Sequence, residues 1–139
     1  MMKTDTERFL TEWHRIVAAR DLAALPGLLA PNVTLGAPPY WQRLEGERTV
    51  GHLLGLILQT IEDFTYHREW VQGAELALEF TGRVDALELQ GIDLITLEAG
   101  GRVRNLDVLM RPVNAVLALR DRIAPQMVRF LSGAASEPR

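Results

Sequence analysis

The sequence predicts an α+β domain in which a curved antiparallel sheet wraps around N-terminal helices and encloses an internal pocket. Apolar residues recur at helical spacing as far as Ile61, and they alternate at strand spacing after Asp63. Helical spacing returns only after Pro112. Because strands and helices are segregated along the chain, an α+β arrangement is favoured over an alternating α/β one. A long antiparallel sheet with helices on one face must curl around them, so we expect a cone that is open at one end.

Composition limits the domain organisation and the classes of partner. The chain has 139 residues, of which 47% are hydrophobic and 24% charged, which predicts one domain over residues 1–131 and a disordered tail over residues 132–139. The net charge of −3 and the scattered basic residues argue against a nucleic-acid partner. The short apolar runs argue against a membrane span. The absence of cysteine excludes disulfides, and together with the polar start it favours the cytoplasm.

The first third of the chain predicts two helices and a short strand. Residues 4–20 form an amphipathic pattern in which Trp13 points inward, with threonine and acidic residues at its start. A second helix begins at Asp21 and should be broken or kinked by Pro26, whose ring clashes with the preceding turn. A short strand follows over residues 33–35.

A proline-rich loop separates this strand from the third helix. Residues 36–45 contain Pro38 and Pro39, which forbid a helix or a central strand, and they carry Tyr40 and Trp41. We expect the two aromatic side chains to form a lid at the mouth of the cone. The third helix covers residues 47–61 and has one almost purely aliphatic face. That face consists of Val50, Leu53, Leu54, Ile57, Leu58 and Ile61.

The next two strands follow from alternation. In the first strand one face should carry Phe64, Tyr66, Arg68 and Trp70, and its outer position favours a dimer interface for the last three. The second strand covers residues 75–87, with Leu76, Leu78, Phe80 and Val84 on one side. Gly82 interrupts it and predicts a bend or a bulge.

Residues 89–112 predict a β-hairpin with an acidic residue in its first strand. A turn over residues 98–101 contains Gly100 and Gly101 and would pair Asp93 with Leu106. The face around Asp93 is then apolar, since it also carries Leu106, Val108 and Met110. A helix over residues 113–123 follows, and a further turn or short helix starts at Pro125.

An acid on an apolar face can be functional or structural. Burial disfavours the charged carboxylate, so the pKa of Asp93 should rise and the side chain could act as a neutral donor or a general acid. Alternatively, Asp93 accepts hydrogen bonds from Trp13 Nε1, from Tyr40 or from a backbone amide and organises the core. Both interpretations stay open.

Residues 4–124 resemble the nuclear transport factor 2-like superfamily, also called SnoaL-like or cystatin-like α+β proteins. The segments that carry the resemblance are RDLAALPGLLAPNVTLGAP, the helix over residues 46–61, LQGIDLITLEAGGRVRNL and VLMRPVNAVLAL. The resemblance implies a cone fold. It implies no single activity, because the superfamily includes isomerases, dehydratases, cyclases, epoxide hydrolases and binding modules.

The resemblance to ketosteroid isomerases implies roles for three positions. Asp93 matches the protonated aspartate of their oxyanion hole, a case known for its neutral donor carboxyl. Trp13 stands where these enzymes have the oxyanion-hole tyrosine, and Ala37 where they have the general-base aspartate. Without a base at Ala37, isomerisation by that mechanism is not expected.

Two other patterns of the superfamily are matched only in part. The Asp-Arg-Asp set of limonene epoxide hydrolase would use Asp93, but Val108 stands at the position of the second carboxylate, and Asp107 should point to the opposite face. The aspartate–histidine pairing of SnoaL cyclases would need a histidine with an acidic partner. None is identifiable by spacing for His14, His52 or His67.

The sequence therefore predicts a pocket with Asp93 as its only candidate catalytic residue. The predicted ligand-contacting residues are Trp13, Ala37, Tyr40, Trp41, Leu54, Leu58, Phe80, Leu106, Val108 and Met110. We expect a small apolar ligand, no cofactor and no bound metal, and a homodimer formed through the sheet. The alternatives are a non-enzymatic dimeric interaction module, or a lyase, isomerase or hydrolase that uses Asp93 as an acid.

Overall fold

The computed structural model describes residues 3–136, with side chains to residue 133. Its helices are α1 (Asp5–Ala19), a 3₁₀ helix (Leu22–Leu28), α2 (Glu47–Thr60) and α3 (Val113–Ser136). Its strands are β1 (Leu29–Gly36), β2 (Leu44–Glu45), β3 (Glu62–Gln72), β4 (Glu75–Val84), β5 (Leu87–Leu97) and β6 (Val103–Arg111). The six strands form one curved, unclosed sheet, and the α+β cone predicted from the sequence is confirmed.

The sheet is mixed rather than purely antiparallel. Its strand order is β2-β1-β6-β5-β4-β3, and the four strands from β3 to β6 form an antiparallel meander as predicted. The early strand β1 pairs with β6 in parallel, with Leu35 opposite Leu106. A parallel pair needs a long crossover connection, and α2 together with the four strands β2 to β5 supplies it here. The expectation of a wholly antiparallel sheet is wrong at this one pair.

The helices fill the concave side of the sheet. Thr4 caps α1 through a capping box with Glu7, which satisfies amide groups that the helix itself leaves unpaired. Trp13 then lies on the buried face of α1 with 3% of its surface exposed. Pro26 lies in the 3₁₀ helix, so the predicted break of the second helix is observed as a tighter helical form. Helix α2 is buried on most of its surface.

A bulge in β3 changes the faces predicted for that strand. The register shifts between Tyr66, which pairs with Phe80, and Glu69, which pairs with Leu78. As a result Tyr66 faces the interior, whereas Arg68 lies on the outer face of the sheet against Glu79. The prediction that Tyr66 shares the outer face with Arg68 and Trp70 is therefore wrong. An extra residue in one strand reverses the alternation beyond it.

The hairpin of β5 and β6 has a different register from the predicted one. Asp93 pairs with Val108, and Leu106 pairs with Ile95. A register irregularity between Thr96 and Leu97 lengthens the turn side of the hairpin. The total shift is two residues, which preserves the side-chain period of a strand. Asp93 therefore keeps the predicted inward orientation.

Gly82 and helix α3 can both be compared with the prediction. Strands β4 and β5 pair regularly through Gly82, whereas the register between β3 and β4 shifts opposite it, between Glu62 and Thr65, so the predicted irregularity lies on the side of β3. An added Cβ at Gly82 would also overlap the Ile61 side chain, so close packing requires a glycine there. Helix α3 continues through Pro125 to Ser136, past the predicted boundary at residue 131, and residues 137–139 lie outside the described part. None of the described helices is long and apolar enough to cross a membrane.

Candidate functional site

Three side chains from different elements form a hydrogen-bonded chain inside the cone. Trp13 Nε1 on α1 donates to the Tyr66 hydroxyl oxygen on β3 at 2.9 Å. The Tyr66 hydroxyl donates in turn to Asp93 Oδ2 on β5 at 2.6 Å. Asp93 is 6% exposed, so this chain ends at a buried carboxyl group. The donor predicted from the sequence, Trp13, thus reaches Asp93 only through Tyr66.

Burial raises the pKa of both Asp93 and Tyr66. Desolvation raises the pKa of Asp93 from 3.8 to about 7, and the hydrogen bond from Tyr66 opposes this rise. Burial also raises the pKa of Tyr66 well above 10, and the nearby charge of Asp93 acts in the same direction. Tyr66 consequently keeps its proton as a donor across the physiological range. Asp93 is the group that changes its charge near neutral pH.

A very small cavity borders Asp93. Its volume is about 20 Å³, which is room for roughly one water molecule. The side chains around it come from α1, α2 and four strands' inner faces: Trp13, Leu54, Ile57, Leu58, Phe64, Tyr66, Phe80, Asp93 and Val108. Ligand pockets usually measure about 300–1,000 Å³, so the expectation of a ligand-sized internal pocket is wrong for this conformation.

Half of the predicted pocket residues meet at this cavity. Trp13, Leu54, Leu58, Phe80 and Val108 all border it together with Asp93. Leu106 is fully buried and Met110 partly buried, and both pack in the core without bordering the cavity. Ala37, Tyr40 and Trp41 lie elsewhere, around a second cavity.

That second cavity is a cleft of about 570 Å³ on the outer side of the sheet. Gly36 pairs with Asp107 on the outer face, and Arg43 Nη1 bonds Asp107 Oδ1 at 2.5 Å. The loop after β1 therefore turns outward, and Trp41 is 96% exposed. Tyr40 and Trp41 border this outer cleft and not the cavity at Asp93, so the predicted lid at the mouth of the cone is wrong. Val108 borders both the cleft and the inner cavity.

Sequence reasoning missed Tyr66 as a partner of Asp93. Strict alternation assigned it to the outer face, and the bulge after it is set by pairing with β4, which no local pattern reveals. The aromatic content of the segment was a signal of a different kind. Phe64 and Tyr66 both pack against Phe80, with ring centroids 4.7 and 6.3 Å away. Such a cluster is typical of a core rather than of an exposed face.

None of the histidines borders the cavity at Asp93, although the His14 ring packs edge-on against Tyr66 with centroids 5.2 Å apart. His14 Nε2 lies 3.0 Å from Glu69 Oε1, an acidic partner that spacing along the chain did not identify. His67 bonds the Thr81 hydroxyl at 2.7 Å, and His52 stacks on Phe130. Within residues 3–133, no three histidine or carboxylate side chains converge in a way that could hold a metal ion.

The outer face of the sheet combines apolar side chains with an ion pair between Glu79 and Arg68. Glu79 is buried there and accepts two hydrogen bonds from Arg68, at 2.7 and 3.0 Å, and one from Gln90 at 2.7 Å. The Arg68 hydrogen bonds are the main cause that holds the pKa of Glu79 at about 2. Around this group lie exposed Trp70, Leu94 and Leu109.

Comparisons with solved structures reveal two relatives that share about a third of their residues with this chain. A steroid delta-isomerase from Pseudomonas aeruginosa is 33% identical over 94% of this chain and 97% of its own, with a TM-score of 0.88. A protein with a cystatin-like fold from Silicibacter pomeroyi is 35% identical over 89% and 90% of the two chains, with a TM-score of 0.84.

More distant structures share the fold alone. An NTF2-like protein of unknown function from Cytophaga hutchinsonii has a TM-score of 0.66 at 18% identity, over 82% of this chain and 96% of its own. Comparison of the sequence with protein-family models and with curated proteins gives no match.

Proposed function

The chain belongs to the nuclear transport factor 2-like superfamily, and we propose that it is a small-molecule-binding member whose ligand contacts Asp93 inside the cone. The observation that carries the proposal is a buried carboxyl group with a pKa near 7 at the wall of an otherwise apolar cavity. Such groups are costly to bury, and they occur preferentially at functional sites.

The chemistry of the site selects one kind of ligand. Tyr66 holds Asp93 Oδ2, and the carboxyl group borders the cavity, so Oδ1 is the atom left to contact a ligand. Below about pH 7 the neutral carboxyl can donate to a carbonyl or ether oxygen. The remaining walls are aliphatic and aromatic. A compact apolar molecule with a single oxygen function fits this set.

Binding is favoured over proton abstraction. Ala37 stands where the ketosteroid isomerases have their general base, and it borders the outer cleft rather than the cavity at Asp93. The similar protein from Pseudomonas aeruginosa is a steroid delta-isomerase. A steroid would not fit into 20 Å³, so a ligand of that size requires side chains or a helix to move.

A thermal-shift screen followed by calorimetry tests this function. Apolar ketones, epoxides and aromatic acids are screened near pH 6, because a ligand that binds only the folded state raises Tm. Hits are titrated into wild type, Asp93→Asn and Glu88→Gln, a control that removes an exposed acid from the same strand. We expect Asp93→Asn to weaken binding of a carbonyl ligand about tenfold and Glu88→Gln to leave it unchanged.

Two outcomes would contradict the proposal. One is a broad screen in which no compound raises Tm. The other is a ligand that binds equally well to wild type and to Asp93→Asn. If Asp93→Asn keeps binding but a turnover seen with wild type disappears, the protein is an enzyme that uses Asp93 as an acid.

We also infer that the protein is a homodimer formed through the outer face of the sheet. Trp70 and Leu94 lie in one row across the strands, beside Leu109 in the next, and all three are 40–57% exposed. Arg68 neutralises Glu79 within this face, so two copies can approach without repulsion between like charges. Light scattering at micromolar concentration tests this, and a mass of 15.6 kDa would contradict it.

A further inference from the structure

Helix α2 separates the cavity at Asp93 from a groove on the outside of the helical layer. Leu54, Ile57 and Leu58 face the cavity. The opposite side of the same helix, with Arg48 and His52 on it, faces a groove of about 310 Å³. The other groove residues are Leu22, Pro26, Gly51, Gly55, Leu56, Gln59 and Phe130. A movement of α2 towards the groove would therefore enlarge the cavity.

Such a movement has room on one side only. On the sheet side, β3 to β6 are paired along their length by backbone hydrogen bonds, with local register shifts only. On the other side, the 3₁₀ helix contacts α2 at two glycines of α2. A Cβ added at Gly51 would lie 3.5 Å from Pro26 Cγ, and one added at Gly55 would lie 3.7 Å from Leu22 Cδ1. The space beside this contact is the empty groove. Among the described residues, Phe130 is the part of α3 that borders it.

Phe130 is fastened to α2 by its ring. The His52 ring stacks on it with centroids 3.9 Å apart and an interplanar angle of 11°. The Arg48 guanidinium lies 5.0 Å from the same ring centroid, within range of a cation–π contact. Burial lowers the pKa of His52, and the charge of Arg48 acts in the same direction, so both favour the neutral ring. The two α2 side chains and Phe130 form one stack, which we call the Phe130 stack.

The part of α3 that carries Phe130 is less buried than the first half of the helix. The first half of α3 is anchored in the core by Ala115, Val116, Leu119 and Ile123. From residue 124 to residue 133 no side chain is fully buried: Met127 packs on the core while partly buried, and Val128 is 63% exposed. Pro125 divides the two halves, and it has no backbone N–H to donate to the preceding turn. The second half can therefore detach without unfolding the first.

We propose that residues 125–133 are a lid that holds α2 against the sheet and keeps the cavity at Asp93 closed. Release of the Phe130 stack lets α2 move into the groove, and the cavity then admits a ligand. The lid would regulate access to the ligand site at Asp93, so this proposal rests on the proposed function. It explains how a cavity of about 20 Å³ can serve as a binding site.

The fluorescence of Trp13 provides a test that needs no ligand. Trp13 borders the cavity and is 3% exposed, whereas Trp41 and Trp70 are 96% and 49% exposed. In a Trp41→Phe/Trp70→Phe background only Trp13 emits, and acrylamide quenching measures access to it. We expect Phe130→Ala to raise the quenching constant at least about twofold, because local opening exposes buried groups. Val128→Ala, an exposed position of the same segment, should leave it unchanged.

Two further variants separate opening of the lid from general loss of stability. Leu119→Ala destabilises the anchored half of α3, so it controls for a lower Tm without touching the Phe130 stack. His52→Ala removes the stack from the α2 side and should act like Phe130→Ala, including in the case that Phe130→Ala does not fold. Quenching that stays unchanged in His52→Ala, or that rises equally in Leu119→Ala, would overturn the lid.

The lid and the binding function can fail separately. If Phe130→Ala opens the cavity but no compound binds to wild type or variant, the lid stands and the proposed function fails. If ligands bind through Asp93 while quenching of Trp13 is the same in wild type and Phe130→Ala, the function stands and the lid is overturned.

Discussion

At the scale of single residues, Asp93 links proton binding to folding. Its carboxyl group is buried against apolar side chains, and only the Tyr66 hydroxyl compensates for the lost hydration at Oδ2. Burial of the ionised form therefore costs free energy that the neutral form does not. The resulting pKa of about 7 places this cost within the pH range in which proteins function.

The free energy of unfolding should fall as pH rises through the window set by Asp93. Its pKa is about 7 in the folded state and 3.8 as the unfolded reference, so between these values the folded state binds more protons. The stabilisation from this proton is fully present below pH 3.8 and is lost above about pH 7. The free energy of unfolding therefore falls by roughly 4 kcal/mol in total. Urea unfolding across this pH range gives the free energy of unfolding of wild type and of Asp93→Asn. The change with pH in the difference between the two measures the contribution of Asp93. Glu88→Gln should behave like wild type, and parallel curves for wild type and Asp93→Asn would contradict the assignment.

Tyr66 is a second residue whose removal has a defined cost. Tyr66→Phe deletes the hydroxyl that donates to Asp93 and accepts from Trp13, so the buried indole N–H loses its partner. We expect a loss of about 1–3 kcal/mol in the free energy of unfolding. The pKa of Asp93 should rise further, because the Tyr66 hydrogen bond lowers it. NMR of the carboxyl carbon measures the pKa, with His67→Ala as an outward-facing control; a fall in the pKa would show that Tyr66 does not act on Asp93.

At the scale of elements, close approaches determine how strands and aromatic rings pack. Gly91 on β5 pairs with Met110, and an added Cβ would overlap the Phe80 ring and lie 2.6 Å from the Leu109 carbonyl oxygen. Phe80 in turn stacks on Phe64 and borders the cavity. The missing side chain at Gly91 is thus part of the wall behind the cavity.

Gly91→Ala should destabilise the protein and displace Phe80. The methyl group has no room between the ring and the carbonyl, and overpacking of this kind costs about 1–3 kcal/mol. Gly133→Ala is the matched control, since nothing lies within 4 Å of an added Cβ there and alanine favours the helix. Thermal unfolding compares the two, and equal Tm values for Gly91→Ala and wild type would show that Phe80 adjusts freely.

At the scale of the whole molecule, the two faces of the curved sheet have different surroundings. The concave face holds α1, α2 and the cavity, whereas the convex face exposes Trp70, Leu94 and Leu109 around a neutralised Glu79. Large exposed apolar patches rimmed by polar residues mark interaction sites. The proposed dimer would form through this convex face.

A charge at the centre of the convex face should separate the proposed dimer. Leu94→Arg places a cation where two copies would meet, and like charges facing each other cost several kcal/mol. We expect the mass from light scattering to fall from twice 15.6 kDa to 15.6 kDa. Leu117→Arg adds the same charge at an equally exposed position on α3 and should leave the mass unchanged. If Leu94→Arg and Leu117→Arg both keep the mass of wild type, the proposed interface through the sheet is contradicted.

Much of the fold was predictable because it depends on local periodicity. Helical spacing located α1 and α2 to within one or two residues, and alternation located β3 to β6. The inward orientation of Asp93 was also predictable, since a register error of two residues does not change the face of a strand. The alternation could not reveal the bulge after Tyr66, so a partner of Asp93 was assigned to the wrong face.

The sequence by itself therefore determined the α+β class, most of the helices and strands, and the burial of one acid among apolar side chains. Only the tertiary structure decided that Tyr66 bonds Asp93, that the loop with Trp41 turns to the outer cleft, and that the cavity measures about 20 Å³. The physical reason is the range of the interactions. Spacing along the chain fixes which face of a helix or strand is apolar, whereas bulges, loop direction and free volume arise from contacts between segments far apart in sequence.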